Sequence, residues 1–282
     1  MYTKDNLTLK NDILFQEIFS KKGNEKFMES FLRALLNDKK IKRVKVEKQV
    51  TLPRSGINEK IGILDLKVLV DDNKIINIEM QRERDNYIIQ RATYYSSKIF
   101  ANELNKNEEY SKLKQVIEII FLNYNIFPYD EYITESKFVA KYHEEFELNC
   151  FQKYFFIELP KFRKQKINVK DPLQAWLLFI DGEHKEEVKM AMKNHLEIRE
   201  AAEELEYLVA DENTRKIAEL KERGIRDYYS GIKSSYEEGL TKGKIIGING
   251  IIKKMLSEKM DIKKIASITG MSKKEILKLA TK

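Results

Sequence analysis

The sequence predicts a mixed α/β core, a sheet flanked by helices, followed by an all-α C-terminal extension. Three observations predict it. The hydrophobic period changes from helical to alternating near residue 44, two alternating segments then follow across a three-residue link, and every segment beyond Pro160 reads as helix. The boundaries expected are 1–165 for the core, 166–234 for a charge-rich helical extension, and 235–282 for a basic tail. With 42% hydrophobic residues, 14 Tyr, 14 Phe, 4 Pro and 11 Gly in 282 residues, the composition excludes a disordered or collagen-like chain.

Residues 7–38 read as two amphipathic helices broken at Lys22-Gly23-Asn24, with Leu14 and Ile18 on one stripe and Phe27, Phe31 and Leu35 on the other. Val44, Val46, Val50 and Leu52 then alternate with polar residues, as a half-buried strand does. Pro53-Arg54-Ser55-Gly56 is a turn. The segments 61–70 and 74–81 form a hairpin across Asp71-Asp72-Asn73, where Asn73 tolerates a left-handed conformation. From Arg84 to about Lys106 a helix is expected, with Ile88, Ala92, Tyr95 and Ile99 on its apolar side. Residues 114–127 are apolar on nearly both faces, hence a central, covered strand. Another strand is expected at 152–159 and a helix at 171–180 with Pro172 in its first turn. Residues 181–222 read as a helical hairpin or bundle edge around Met190, Leu196, Leu205, Leu208 and Ile217.

Several function classes fall away. The one cysteine, Cys150, allows neither an intrachain disulfide nor a cysteine zinc site, and His143, His184 and His195 form no H-E-x-x-H pair. The opening MYTKDNLTLKND has no signal-peptide run, and the longest apolar stretches are far too short for a membrane span. These features point to a cytoplasmic protein with no membrane partner. The +7 charge is concentrated: residues 239–282 carry eleven Lys against three acids, leaving 41 basic and 42 acidic residues in the first 238. Such a tail suits phosphate contact, although lysine-rich helices are also often solvated faces.

The hairpin carries the chemistry. Ile76, Ile78 and Met80 alternate with Asn77, Glu79 and Gln81, while Leu64, Leu66, Val68 and Val70 alternate with Asp65 and Lys67. If Val70 pairs with Lys74, the apolar residues line up and Asp65 falls opposite Glu79. Two carboxylates roughly 5 Å apart at Cβ repel and resist burial, and a hard divalent cation relieves both costs. The expectation is that Asp65 and Glu79 ligate Mg²⁺, with the Met80 carbonyl as a third ligand. The competing reading is an edge hairpin whose acids face solvent, paired to Lys67 and Arg82.

The succession of a helix bearing Lys10-Asn11-Asp12 with Phe15 and Phe19, Asp65 on a strand, INIEMQ on the next, and a helix with R-x-x-Y-Y-S from Arg91 resembles the PD-(D/E)XK nuclease superfamily. It is most similar to the branch of recombination-promoting nucleases, or PD-(D/E)XK nuclease family transposases. The resemblance covers residues 7–125 well and the tail more loosely. It implies a restriction-endonuclease-like core and Mg²⁺-dependent hydrolysis of DNA, with Asp65 and Glu79 on the metal, an acid of the first helix (Asp12, then Glu17) assisting, and Gln81 positioning the attacking water. Gln81 stands where the superfamily motif has Lys, so the missing positive charge is expected from Arg91, with Lys98 behind it. Leu64 replaces the Pro before the first Asp. Tyr94 and Tyr95 read as packing residues rather than recombinase nucleophiles, and His143 and Cys150 receive no role.

In the tail, Gly239, Gly243 and Gly247 recur every fourth residue, the spacing of a flat helix stripe that a second copy could cover, so self-association is expected there. Residues 260–280 read as helix, Gly270 turn and a second helix capped by Ser272 and Glu275, with Ile265, Ala266, Met271, Ile276 and Leu277 inside. This resembles half of a helix-turn-helix unit, with Lys273, Lys274 and Lys278 facing DNA; a bundle-capping or dimerising role competes with it. The function expected is therefore a Mg²⁺-dependent DNA endonuclease associated with recombination or mobile elements. The alternatives are an inactive DNA-binding or oligomerising protein on the same fold, and a protein-interaction module built on the charged helices.

Overall fold

A computed structural model describes residues 7–52, 63–105 and 107–280. The turn expected at residues 53–56 lies outside them. Among the described residues, six strands form one mixed sheet in the order β1-β2-β3-β4-β6-β5. Helices α1 (Asp12–Ser20) and α2 (Glu25–Leu35) precede β1 (Val44–Thr51), β2 (Ile63–Val70) and β3 (Lys74–Gln81), which form an antiparallel meander. Helix α3 (Ile88–Ala101) then crosses to β4 (Gln115–Leu122), parallel to β3. The chain continues through β5 (Ile133–Ala140) and β6 (His143–Glu158); β6 is parallel to β4, and β5 pairs antiparallel at the edge. Helices α4 (Leu159–Phe162), α5 (Pro172–Asp181), α6 (Lys185–Asn194), α7 (Leu196–Ala210), α8 (Glu212–Ser257), α9 (Ile262–Thr269) and α10 (Lys273–Ala280) complete it.

The break between α1 and α2 falls where expected, at Gly23, whose φ of +96° is one that only glycine adopts cheaply. One face of the sheet, with Leu66, Val68, Ile76, Ile78, Ile119 and Phe121, packs on α1, α2, α5 and α7. An aromatic cluster of Phe15, Phe19, Phe31, Phe121 and Trp176 fills the interface, ring centroids 5.1 to 6.4 Å apart. The opposite face is covered by α3 through Ile88, Ala92 and Ile99. A mixed sheet with helices on both faces agrees with the restriction-endonuclease-like core expected.

Several elements depart from the expectation. In the β2–β3 link the positive φ values belong to Asp71 (45°) and Asp72 (61°), not Asn73, because Asp71 turns its carboxylate back onto the Lys42 and Arg43 N–H groups. α3 starts at Ile88 rather than Arg84, since the Asp85 carboxylate takes the Tyr87 N–H and holds the preceding residues in a turn. β4 stops at Leu122; β5, too polar and exposed to show an apolar period, and the first half of β6 were not anticipated. Leu64 packs with Ile75, Ile99 and Val116, away from Leu66 and Val68. Of the apolar residues picked out in 181–222, Leu205 is buried but Met190, Leu196 and Ile217 lie exposed.

The described chain divides into two compact units, residues 1–219 and 220–282. In the second, Ile252, Ile265 and Ile276 are buried together, while Leu277, expected inside, is half exposed. The hinge between α9 and α10 is as expected: Gly270 has φ +70°, Ser272 Oγ accepts the Glu275 N–H, and the Glu275 carboxylate accepts the Ser272 N–H. No helix among the described residues is long and apolar enough to cross a membrane.

Candidate active site

β2 and β3 pair from Val70–Lys74 to Leu66–Ile78, in the register that aligning their apolar residues predicts. Continued one step, it sets Asp65 across from Glu79. Here the ladder gives way: the Met80 N–H donates instead to Asp65 Oδ2 at 3.3 Å. On the other side of Asp65, β1 is irregular. Gln49 lies between the Lys48–Leu66 and Val50–Leu64 pairs and takes φ +51°, uncommon for a residue with a Cβ and frequent where a site is held under strain.

Glu79 is almost wholly buried, and its carboxylate is held from three directions. Oε1 accepts from Asn77 Nδ2 at 3.1 Å; Oε2 accepts from Gln81 Nε2 at 3.2 Å and Arg91 Nη2 at 3.0 Å. Helix α3 delivers Arg91 over this face, and Asp85, just before the helix, accepts from its Nη1 at 3.2 Å. Burial works against the guanidinium charge, but Glu79 and then Asp85 outweigh it, so the Arg91 pKa is raised.

Asp65 is placed differently. Burial, then the neighbouring Glu79 and Asp12, push its carboxyl up to about 7, against the smaller opposing effects of the Met80 N–H and Arg91. Asp12 therefore belongs to the same neighbourhood: it opens the first turn of α1, which Asn11 caps through the Ile13 and Leu14 N–H groups. Glu17 is directed elsewhere, paired with Lys48. Lys98 is buried two turns beyond Arg91, its ammonium 5.9 Å from the centre of the Tyr94 ring. Tyr95 is partly buried near Glu79, and both burial and that charge raise its phenol pKa.

The structure thus brings Asp65, Glu79, Met80, Gln81 and Arg91 together at the carboxyl end of β3, with Asp12 near enough to act on Asp65. Lys273, Lys274 and Lys278 are exposed on α10, in the second unit.

One residue of this neighbourhood escaped the sequence reading. Glu118, fully buried on β4, is the register partner of Asn77, whose Nδ2 donates to Glu118 Oε2 at 2.7 Å. Burial, and then Glu79, raise its pKa well above the carboxylate range. The signal was present in VIEIIFL: a lone acid in the middle of an otherwise apolar central strand has no solvent face to turn to.

Among the described residues no group of three or more His, Cys, Asp and Glu side chains gathers as a metal cage. The donor set nonetheless fits a hard divalent ion. Two carboxylates serve Mg²⁺, which keeps several of its waters, and the Asp65 carboxyl lies near two further acids, Glu79 and Asp12, whose effect on it exceeds that of Arg91.

The family model of the PD-(D/E)XK nuclease family transposase matches residues 9–235. The chain belongs to this family. No curated protein and no solved structure matches the chain. As a PD-(D/E)XK nuclease family member it has a nuclease- or transposase-related function, for which DNA is the implied substrate and divalent metal the general requirement. The match includes every residue gathered at the β3 end and stops before α9 and α10.

Proposed function

We propose that the chain is a cytoplasmic, Mg²⁺-dependent DNA endonuclease that hydrolyses phosphodiester bonds in recombination or mobile-element reactions. A bound Mg²⁺ would supply an acidified water and charge compensation at the phosphate. Asp65 and Glu79 would hold it, with the Met80 carbonyl, where β2 and β3 part. Gln81, whose amide already lies against Glu79, would orient the attacking water, and Arg91 would stabilise the negative charge that builds on the phosphate in the transition state. Asp12 would assist from the start of α1. The α10 lysines Lys273, Lys274 and Lys278 would contact DNA phosphates without reading sequence, and the glycine-spaced face of α8 would serve self-association.

The observation that carries this reading is the Asp65 carboxyl, buried beside Glu79 and Asp12 and, among the described residues, bonded by the Met80 N–H. Retaining an acid there costs free energy that an apolar residue would avoid, and a divalent ion is what makes the arrangement favourable. The test is nicking of supercoiled plasmid in Mg²⁺ by the full chain, by Asp65→Ala and by Glu79→Ala. The proposal expects activity in the wild type that is lost in both variants and on chelation. Equal activity in all three overturns it.

A second reading is favoured by the Arg91–Glu79 pair, which neutralises Glu79 without any metal. On that reading the chain binds DNA but does not cut it. Retention of DNA by a wild type that never nicks in Mg²⁺ would decide for it.

A further inference from the structure

Five buried side-chain polar atoms among the described residues have no hydrogen-bond partner, and three fall in one strip: Glu118 Oε1, Asn77 Oδ1 and Arg91 Nε. The strip runs across two strands and a helix. Glu118 on β4 accepts from Asn77 on β3, Asn77 donates to Glu79, and Glu79 accepts from Arg91 on α3. Glu118 and Asn77 are both fully buried, at the centre of the sheet, where their strand neighbours are Ile and Val. An apolar pair would fit β3 and β4 without leaving polar atoms unsatisfied. Something other than packing must account for them.

The geometry of the Asn77 amide gives the reason. Its two N–H groups are divided between Glu118 Oε2 at 2.7 Å and Glu79 Oε1 at 3.1 Å. The shorter bond anchors the amide, so that its orientation does not depend on the longer bond to Glu79 alone. Once anchored, the amide presents its second N–H to Glu79 Oε1, while Gln81 and Arg91 hold Oε2. The amide that holds Glu79 Oε1 is thus itself held by a residue on the adjacent strand. Partners of this kind, bonded to a ligating carboxylate through an intermediary, tune metal affinity without touching the metal.

We infer that Glu118 is a positioning residue, which through Asn77 holds the Glu79 carboxylate in the orientation that receives the divalent ion. The inference rests on the metal-dependent reading of Asp65 and Glu79. It is tested on the full chain with Mn²⁺ as the probe, its binding followed by loss of the free-ion EPR signal, beside plasmid nicking with kcat and KM separated. The variants are Glu118→Leu, Glu118→Gln, Asn77→Val and the Asn77→Val/Glu118→Leu double. Thermal unfolding without metal identifies any that fail to fold.

Glu118→Leu is expected to weaken Mn²⁺ binding by about tenfold or more and to lower kcat with KM for DNA unchanged. Glu118→Gln, which keeps an acceptor for Asn77, should stay near wild type. If Glu118 acts through Asn77, the double variant loses no more than the worse single one. Wild-type Mn²⁺ affinity in folded Glu118→Leu overturns the inference. So does additive loss in the double, or a Glu118→Gln as weak as Glu118→Leu. Should Glu118→Leu not fold, the comparison of Asn77→Val with Glu118→Gln decides by the same criteria. Mn²⁺ uptake with the expected variant pattern but no nicking sinks the endonuclease reading and leaves this one standing; a wild type that takes up no Mn²⁺ overturns both.

Discussion

Arg91 Nη2 lies 3.0 Å from Glu79 Oε2, and through this ion pair helix α3 is fastened to the centre of the sheet at the candidate active site. The pair is asymmetric: the Glu79 side chain is 6% exposed and that of Arg91 32%. Removing the arginine would strand a buried carboxylate, whereas removing the carboxylate would leave a guanidinium that can reach water. Arg91→Ala should therefore destabilise the metal-free protein, by about 1–3 kcal/mol, the cost of a buried acceptor that loses its donor. Added Mg²⁺ should recover more stability in the variant than in wild type, because the ion replaces the missing charge. Thermal unfolding with and without Mg²⁺ checks it; equal shifts in the two proteins would refute it.

Asp65 sets a pH dependence with a definite sign. Its folded pKa, about 7, lies above the ordinary carboxylate value near 4, so the folded state binds the proton more tightly than the unfolded chain does. The Asp65 contribution to metal-free stability is therefore greatest below about pH 4 and declines as pH rises through the folded pKa near 7. Asp65→Asn should flatten unfolding midpoints between these limits. Because the metal requires the ionised carboxylate, Mg²⁺ affinity should fall about tenfold from pH 8 to pH 6 in wild type. Calorimetric titration at the two pH values measures it.

The α10 lysines make an electrostatic prediction. If Lys273, Lys274 and Lys278 each neutralise one phosphate, the triple alanine variant should bind duplex DNA with a log K against log salt slope shallower by about 2–3. The loss should be uniform across DNA sequences, since phosphate contacts carry no base information. Binding isotherms at several salt concentrations test this, and an unchanged slope assigns α10 a packing role.

Phe121 provides a control that separates folding from chemistry. It is fully buried against the rings of Phe15 and Phe31, on the sheet face opposite Glu79 and Glu118. Phe121→Ala should cost about 3–5 kcal/mol of stability. It should leave the Mg²⁺ affinity of the molecules that remain folded near wild type. Denaturant unfolding alongside metal titration distinguishes the two effects.

The hairpin was legible because alternation fixes it twice over. Leu66, Val68, Ile76 and Ile78 must share one face, and a slip of one residue would turn the strand's whole apolar set to the other, so the register from Val70–Lys74 to Leu66–Ile78 followed from the apolar residues alone. Gln81 was likewise placed on the face of Glu79 by the strand period, whereas Arg91 was named only as a source of the charge that Gln81 lacks. β5 was not legible: its exposed Glu135, Ser136, Lys137 and Phe138 carry no inward-facing period, and it exists because it pairs with β6.

By itself, then, the sequence determined much that depends on short-range periodicity: most helices of the core and the tail, the β2–β3 register, and the strand face that Glu79 shares with Gln81. Tertiary structure alone decided what depends on contacts between distant segments. It paired β4 in parallel beside β3 and so set Glu118 next to Asn77. It carried α3 over the sheet so that Arg91 met Glu79, and brought the start of α1 close enough for Asp12 to raise the Asp65 pKa. Side-chain periodicity is a property of one strand or helix, whereas the burial and charge that set a carboxyl's chemistry come from whatever packs against it.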